Sequence, residues 1–223
     1  MTFGIDHDAD VRATAIVDRG IDGTSARITT KRGSVELTTP LIGRGNLSNI
    51  LAATAVAEEF DVPLQTVATL AATLRPAAHR GEVVRLRNGI TIIDDSYNAN
   101  PTATTRALDV LARAEPGRRR IAVLGEMLEL GVRASELHAA VGRAAAAAQV
   151  DVLLAVGGAA AAAMADAAVA AGMPREAVHY FPASAEAADA ASRIAAAGDV
   201  VLVKGSRGVR TDVVVDRLKA ERG

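Results

Sequence analysis

The 223-residue sequence contains no cysteine and no tryptophan, and aromatic residues make up only 2% of it. Without cysteine the chain can form no disulfide bond, no thiolate nucleophile and no cysteine-based zinc site. Lysine is also scarce, and the formal net charge is −1. Bulk electrostatics therefore predict no nucleic-acid partner and no attraction to a membrane surface.

Three kinds of segment are missing as well. The longest apolar runs are alanine-rich and interrupted by Asp, Gly or Arg, so we predict no transmembrane helix. No basic region followed by an apolar stretch opens the chain, so we expect no signal peptide and a cytoplasmic location. The sequence also lacks a G-x-x-x-x-G-K-S/T loop, the element that cradles ATP phosphates in P-loop enzymes.

The spacing of the histidines and of Ser96 in the sequence matches no known metal-binding or catalytic motif. His7, His138 and His179 lie far apart, without the spacing of metal ligands, so no zinc site is predicted. Ser96 has no histidine nearby in the sequence and lies in no nucleophile-elbow pattern, so a hydrolase triad is not predicted either.

The first third of the chain differs in pattern from the rest. Residues 1–40 alternate between polar and apolar with glycine-containing breaks, which predicts β-hairpins. Two helices are predicted next, over residues 46–60 and 63–74, the second with Pro63 in its first turn. The pattern breaks at residues 75–78, so we predict two domains, 1–75 and 76–223.

After Gly81, apolar strands alternate with helices. Asn100 is predicted to cap the helix that begins at Pro101, and Ser184 the helix that ends at Gly198. Near-continuous apolar strands joined by helices predict an α/β domain with a mostly parallel, Rossmann-like sheet, because too few units are present for an eight-stranded barrel. The predicted strands are residues 90–93, 121–124, 152–156, 178–181 and 200–203.

This topology predicts where a ligand binds, because open α/β sheets bind ligands beyond the carboxyl ends of their strands. The loops at those ends span residues 94–100, 125–131, 157–158 and 204–208. Three of the four carry the densest polar residues in the chain, whereas Gly157-Gly158 lacks a full dinucleotide motif and indicates tight strand-to-helix packing.

Two of these loops contain charged residues that favour a function. Adjacent carboxylates such as Asp94 and Asp95 repel each other at a strand end unless a partner uses them. Lys204–Gly208 follows a buried strand and is predicted to open a helix, which suits anion binding. Arg80, at the predicted domain junction, suits bidentate phosphate binding, although its position equally fits an ordinary surface arginine.

Three strings resemble the C-terminal half of the Mur ligase family: Asp94–Pro101 (DDSYNANP), Leu124–Gly131 (LGEMLELG) and Lys204–Gly208 (KGSRG). A fourth, Gly43–Ala53, resembles the family pattern Gly-x-(His or Phe)-Asn-x-x-Asn-x-Leu-Ala-Ala, with Gly45 where His or an aromatic residue is usual. The resemblance runs the full length. It implies that residues 1–75 are the end of the central ATP-binding domain and residues 76–223 the C-terminal domain.

The resemblance implies an ATP-dependent amide ligase of peptidoglycan precursor synthesis that joins D-alanyl-D-alanine to UDP-N-acetylmuramoyl-tripeptide through an acyl phosphate. ATP and Mg²⁺ are the implied cofactors, with most metal ligands outside this chain. Because the P-loop is absent, we expect an incomplete ligase, or one half of a split ligase whose partner is a missing N-terminal half. The alternatives are a non-catalytic ligand- or protein-binding module and a different amide ligase of the superfamily, such as a cyanophycin-type enzyme, which DDSYNANP argues against.

The resemblance also implies roles for individual residues. Arg80 and Asp95 would be catalytic and contact ATP, and Asn46 and Asn49 would lie near the adenine, although Asn46 could equally cap its helix. Glu126 and Glu129 would face the ammonium of the incoming dipeptide. Lys204–Gly208 would act around the carboxylate of that dipeptide or in domain closure. The implied substrate-binding residues are Ser96, Tyr97, Asn98, Glu126, Glu129, Lys204, Ser206 and Arg207.

Overall fold

The computed structural model describes residues 1–114 and 117–222, without the side chain of residue 222. The chain divides into two compact units, one spanning Met1–Pro76 and one beginning at Ala77. The sequence pattern placed the boundary between residues 75 and 76. Each unit has a β-sheet of its own.

The first unit is a four-stranded sheet with two helices. Its strands are ordered β1-β2-β3-β4; β1 runs parallel to β2, and the other neighbours are antiparallel, as the predicted hairpins require. Apolar side chains of β2 to β4 form one core with those of α1, including Ile28, Leu37, Leu47 and Leu51. The elements are β1 (Phe3–Gly4), β2 (Val11–Asp18), β3 (Thr24–Thr30), β4 (Gly33–Thr39), α1 (Gly43–Glu59) and α2 (Leu64–Ala71).

Both helices of this unit differ from their predicted bounds. Helix α1 begins at Gly43, three residues early, with Ile42 at the capping position. Asn46 therefore lies inside the first turn and does not cap the helix; its side-chain amide donates to the Ile42 carbonyl at 2.9 Å. Helix α2 ends at Ala71, short of Leu74.

The second unit contains a six-stranded sheet ordered β5-β6-β10-β7-β8-β9. Strand β5 is antiparallel to β6, and every other pair is parallel. The predicted α/β class with a Rossmann-like, mostly parallel sheet is confirmed. The strands are β5 (Glu82–Arg85), β6 (Thr91–Asp95), β7 (Arg120–Gly125), β8 (Val152–Val156), β9 (Val178–Phe181) and β10 (Val200–Lys204).

The five helices of this unit pack in two groups. Helices α3, α4 and α5 pack side by side, and α6 pairs with α7. Because crossovers between parallel strands are right-handed, the outward path from β6 to β9 and the return from β9 to β10 place their helices on opposite faces. The helices are α3 (Pro101–Ala112), α4 (Ala134–Ala147), α5 (Ala159–Ala170), α6 (Ser184–Ile194) and α7 (Asp212–Arg222). No helix among the described residues has the length and apolarity needed to cross a bilayer.

The α4–α5 pair is packed at very short range. Gly142 of α4 faces α5 so closely that a β-carbon there would overlap the Met164 carbonyl oxygen. Ala145, Ala161 and Ala168, in the same pair, have no exposed surface. Glycine and alanine let the backbones approach, so dispersion contacts replace the volume that larger side chains would fill.

In the second unit, one strand was not predicted and two helix starts differ from their predicted positions. Strand β5 was missed because it is four residues long and lies at the sheet edge, although the Asn88-Gly89 turn that joins it to β6 is a recognised hairpin signal. Ala183, not Ser184, occupies the cap position of α6, which ends at Ile194 and not at Gly198; the Ser184 hydroxyl donates to the Val209 carbonyl at 2.6 Å. Helix α7 begins at Asp212, so Lys204–Gly208 does not open it.

Candidate functional site

The candidate site lies at the carboxyl ends of three neighbouring strands, β6, β10 and β7. The return crossover from β9 inserts β10 between β6 and β7. In this register Lys204, the last residue of β10, pairs with Asp95 on β6 and with Leu124 on β7. Three of the predicted loops, 94–100, 125–131 and 204–208, are thereby brought to one edge of the sheet.

A buried ion pair connects the first two of these strands. The Lys204 ammonium donates to an Asp95 carboxylate oxygen at 2.6 Å and to the Asn98 carbonyl at 2.9 Å. The Lys204 side chain is 4% exposed and that of Asp95 is 25% exposed. A buried ammonium requires such partners. Lys204 therefore holds both ends of the 95–98 loop from within the chain.

Asp95 has a perturbed acidity. Burial raises the pKa of the Asp95 carboxyl above its ordinary value, and the negative charge of Asp94 raises it further. The charge and hydrogen bond of Lys204, together with the charge of Arg80, oppose this rise in pKa. Burial is thus the largest influence on the pKa of Asp95, and the cations around it offset only part of the rise. Carboxylates perturbed in this way are frequent at functional sites.

Asp94 is fully buried and bonds only within the chain. Its carboxylate accepts hydrogen bonds from the Ser96 hydroxyl at 2.6 Å and from the Ser96 amide at 3.2 Å, and it lies 2.9 Å from His79 Nδ1. His79 Nδ1 is also 3.4 Å from the Ser96 hydroxyl. The arrangement is not a nucleophilic triad, because the serine bonds directly to the aspartate and has no exposed surface.

Arg80 follows His79 and is exposed. Its guanidinium carbon lies 4.0 Å from the centre of the Tyr97 ring, a cation–π contact. Among the residues that the structure describes, this guanidinium has no hydrogen-bond or ion-pair partner. The donors of Arg80 are therefore available to an anion, and the charge is close enough to lower the pKa of Asp95.

The 125–131 loop is held in place at three points. Glu126 accepts a hydrogen bond from the Gly158 amide at 2.6 Å, at the start of α5. The Ser206 amide donates to the Glu126 carbonyl at 3.2 Å, and the Leu128 amide donates to the Ser206 hydroxyl at 2.9 Å. The Met127 amide donates to His138 Nε2 at 2.8 Å.

His138 is a site-supporting residue that sequence reasoning missed. It is fully buried on α4, and its Nδ1 lies 2.7 Å from the Ala134 carbonyl. Because Nε2 accepts from Met127, the neutral ring carries its proton on Nδ1. The sequence shows a histidine shortly after a polar loop, but it does not show which face of α4 is buried. The role of His138 could therefore not be predicted.

Glycines allow the strand ends to meet. A β-carbon on Gly125 would lie 3.0 Å from the Gly205 Cα, and one on Gly157 would lie 2.6 Å from the Glu126 β-carbon. The Gly157-Gly158 pair thus provides tight packing at a strand-to-helix turn, as the sequence indicated.

The remaining predicted residues are placed as follows. Glu129 is exposed with a left-handed backbone at φ 65°, and Arg207 lies 3.3 Å from the Asp212 carboxylate. In the first unit, Asn46 and the exposed Asn49 are three residues apart on α1 and share a face.

The two adjacent carboxylates of the second unit are both engaged by groups of the chain itself. Asp94 and Asp95 are adjacent, but Asp94 is bonded to His79 and Ser96, and Asp95 to Lys204. No group of three side chains suited to a metal occurs in residues 1–114 or 117–222. We therefore assign no step of any reaction to a metal held by these residues.

Comparison with known proteins identifies the family. The model of the Mur ligase glutamate ligase domain matches residues 79–207, more than half of the chain, and the model of the Mur ligase middle domain matches residues 1–57. The chain belongs to the Mur ligase family. The family's C-terminal domain thus contains the whole carboxyl-edge site described above.

The relatives include curated Mur ligases that share one enzyme name. The UDP-N-acetylmuramoyl-tripeptide–D-alanyl-D-alanine ligase of Mycobacterium leprae is 36% identical over 210 residues, covering 84% of this chain and 39% of the relative. The Escherichia coli enzyme of the same name is 39% identical over 132 residues, 59% of this chain and 29% of the relative. The chain spans well under half the length of these relatives.

Solved Mur ligase structures have the same fold. MurF from Acinetobacter baumannii matches with a TM-score of 0.84 and 27% identity, covering 98% of this chain and 47% of that one. MurF from Thermotoga maritima, solved in complex with ADP, matches with a TM-score of 0.80 and 24% identity, over 98% of this chain and 48% of that one.

Proposed function

We propose that the chain is part of an ATP-dependent ligase that joins D-alanyl-D-alanine to UDP-N-acetylmuramoyl-tripeptide. The observation that carries this proposal is the free, exposed Arg80 guanidinium beside the perturbed Asp95 carboxylate, at the sheet edge where α/β domains bind ligands. Family membership and the named relatives support the substrate assignment. ATP is the proposed phosphoryl donor.

Arg80 is proposed to bind the phosphates of ATP. Its fork of donors suits bidentate contact with phosphate oxygens. Phosphoryl transfer depends mainly on positioning and on charge neutralisation, both of which a guanidinium provides. Asp95 is proposed to face the nucleotide from the end of β6, and Asn46 and Asn49 are proposed to lie near the adenine.

The amine substrate is proposed to bind around the 125–131 and 204–208 loops. One Glu126 oxygen accepts from Gly158, which leaves the other for the ammonium of the dipeptide, and Glu129 is exposed on the same loop. Ser206 and Arg207 are proposed to recognise its carboxylate. Tyr97 and Asn98 remain candidates through their positions in the 95–98 loop.

The proposed chemistry proceeds in two steps. The γ-phosphoryl group of ATP is transferred to the terminal carboxylate of the tripeptide, which forms an acyl phosphate and ADP. The amine of D-alanyl-D-alanine then attacks the acyl carbon, so that the amide bond forms and phosphate leaves. Magnesium would neutralise phosphate charge in the whole enzyme; the described residues contain no group of three side chains suited to a metal.

The first test is ADP formation by this chain alone with ATP, magnesium, UDP-N-acetylmuramoyl-tripeptide and D-alanyl-D-alanine. We expect none, because the sequence has no loop to cradle the phosphates. Turnover that disappears in Asp95→Asn would contradict this expectation.

A second test uses an enzyme completed by the P-loop-containing N-terminal part of a relative. There Arg80→Ala should abolish ADP formation, whereas Arg143→Ala, which removes an exposed arginine of α4, should not change it. Unchanged turnover in Arg80→Ala would refute the role in phosphate binding.

The second candidate function is a binding module without catalysis. It is favoured by the network of Asp94, Asp95 and Lys204, whose charged groups have partners within the chain. Titration calorimetry of this chain with D-alanyl-D-alanine distinguishes the two. Binding without nucleotide, with no turnover in the completed enzyme, would favour the module.

A further inference from the structure

Arg80 lies between two residues with left-handed backbones, His79 at φ 61° and Gly81 at φ 75°. Glycine adopts this conformation freely, but a residue with a β-carbon does so only when its surroundings hold it there. The backbone that carries the exposed guanidinium is therefore held on its N-terminal side by contacts of His79.

Three contacts fasten this segment to the end of β6. The Tyr97 amide donates to the His79 carbonyl at 3.1 Å, and the Gly81 amide donates to the Asp94 carbonyl at 2.9 Å. The His79 ring lies 2.9 Å from the Asp94 carboxylate. Of these contacts, the ring contact alone depends on the identity of the side chain at position 79.

Asp94 is a rigid anchor for the ring. Its side chain has no exposed surface, and one of its oxygens is held by the Ser96 hydroxyl and amide. The other oxygen faces His79, the one basic side chain within ion-pair distance among the described residues. A buried carboxylate oxygen without this partner would lose a hydrogen bond that water cannot easily replace.

We infer that His79 is a positioning residue for Arg80: its ring, bonded to buried Asp94, fixes the left-handed turn that places the Arg80 guanidinium on the Tyr97 ring. This inference rests on the proposed function only in that Arg80 binds phosphate. Preorganising a long side chain reduces the entropy lost when the anion binds.

The test measures geometry in this chain, without nucleotide. The chain has two tyrosines and no tryptophan, so Tyr180→Phe leaves Tyr97 as the single tyrosine. Ring current from Tyr97 should displace the Arg80 Nε–H resonance upfield in NMR spectra, and nuclear Overhauser contacts should join the two side chains.

Three substitutions in that background separate the ring from the backbone. His79→Gly keeps the left-handed turn accessible but removes the ring, and we expect loss of the displacement and of the contacts. His79→Asn should retain both, because asparagine tolerates the left-handed region and its amide can donate to Asp94. His179→Ala is the matched control, because β9 lies four strands away from β6.

An Arg80 signature that persists in folded His79→Gly would overturn the inference, as would its loss in His179→Ala or in His79→Asn. Global unfolding of both His79 variants, seen by circular dichroism, would also overturn it, because a positioning role leaves the fold intact. Unchanged turnover in Arg80→Ala would instead reject the phosphate role and leave this geometry standing.

Discussion

The carboxyl edge of the six-stranded sheet and the α4–α5 helix pair use opposite means of holding together. At the edge, Lys204, Asp95 and Asp94 are charged groups at least partly removed from water, and each has a named partner. In the helix pair, Gly142 and a series of buried alanines make close apolar contacts without polar side-chain bonds. The edge is held by specific pairs of polar groups, whereas the two helices are held by close packing of small side chains.

The two regions also differ in backbone conformation. Six non-glycine residues have positive φ in the part of the chain that the structure describes, and three of them, His79, Glu129 and Arg210, lie in segments around the carboxyl edge. Such conformations persist where the surrounding structure imposes them, and they gather at functional sites. Left-handed backbone and buried charge therefore occur together at the edge, whereas Gly142 and the buried alanines of the pair lie within regular helices.

The largest effect is expected from removing the cation of the buried pair. Lys204→Met should lower the free energy of unfolding by about 3 kcal/mol at pH 8, near the lower end for a broken buried pair. The lower end applies because Asp95 keeps 25% of its side chain exposed. Urea unfolding at pH 8 measures this loss.

The same variant has a pH dependence of definite sign. Burial already raises the pKa of Asp95, and Lys204 opposes that rise, so Lys204→Met should raise the pKa further. A raised pKa in the folded state means that stability is present at low pH and is lost as pH increases through that value. The deficit relative to the unaltered chain should therefore be small near pH 4 and largest at pH 8. Lys204→Met with Asp95→Asn should remove this trend; a trend that persists would contradict the assignment.

The helix pair should respond to added volume. Gly142→Ala should lower the free energy of unfolding by about 2 kcal/mol through overpacking against Met164, although alanine is the better helix former. Ala140→Val adds volume at an exposed position of α4 and should cost only about 0.5 kcal/mol in helix propensity. Equal effects of the two substitutions, measured by thermal unfolding, would mean that the helices are not tightly packed.

The smallest effect is expected from removing an uncharged hydrogen bond at the edge. Its dependence on pH can be compared with that of the buried ion pair. Asn100 caps α3 by accepting from the Ala103 amide at 2.9 Å. Asn100→Ala should lower the free energy of unfolding by about 1 kcal/mol, and Asn100→Ser should restore most of it. Neither should change the pH profile, since no charge is lost; a pH-dependent deficit would show coupling to Asp95.

Much of this fold was predictable because it depends on local pattern. The apolar strands, their helices, the mostly parallel sheet and the Asn100 cap follow from periodicity and from residue type at helix starts. The convergence of three polar loops followed from the rule for open sheets. Strand β5 was not predicted because a strand of four residues at a sheet edge shows too little alternation of polar and apolar residues.

The sequence by itself determined the fold class, the family and the edge of the sheet at which polar residues meet. Tertiary structure alone decided which of them touch. Lys204 reaches Asp95 across 109 positions only because β10 inserts between β6 and β7, and His79 meets Asp94 because β5 folds back along β6. The local sequence pattern encodes the conformation of each segment. The order of the strands, however, follows from burying the whole sheet at once. Contacts between residues far apart in the sequence are therefore decided only in the folded chain.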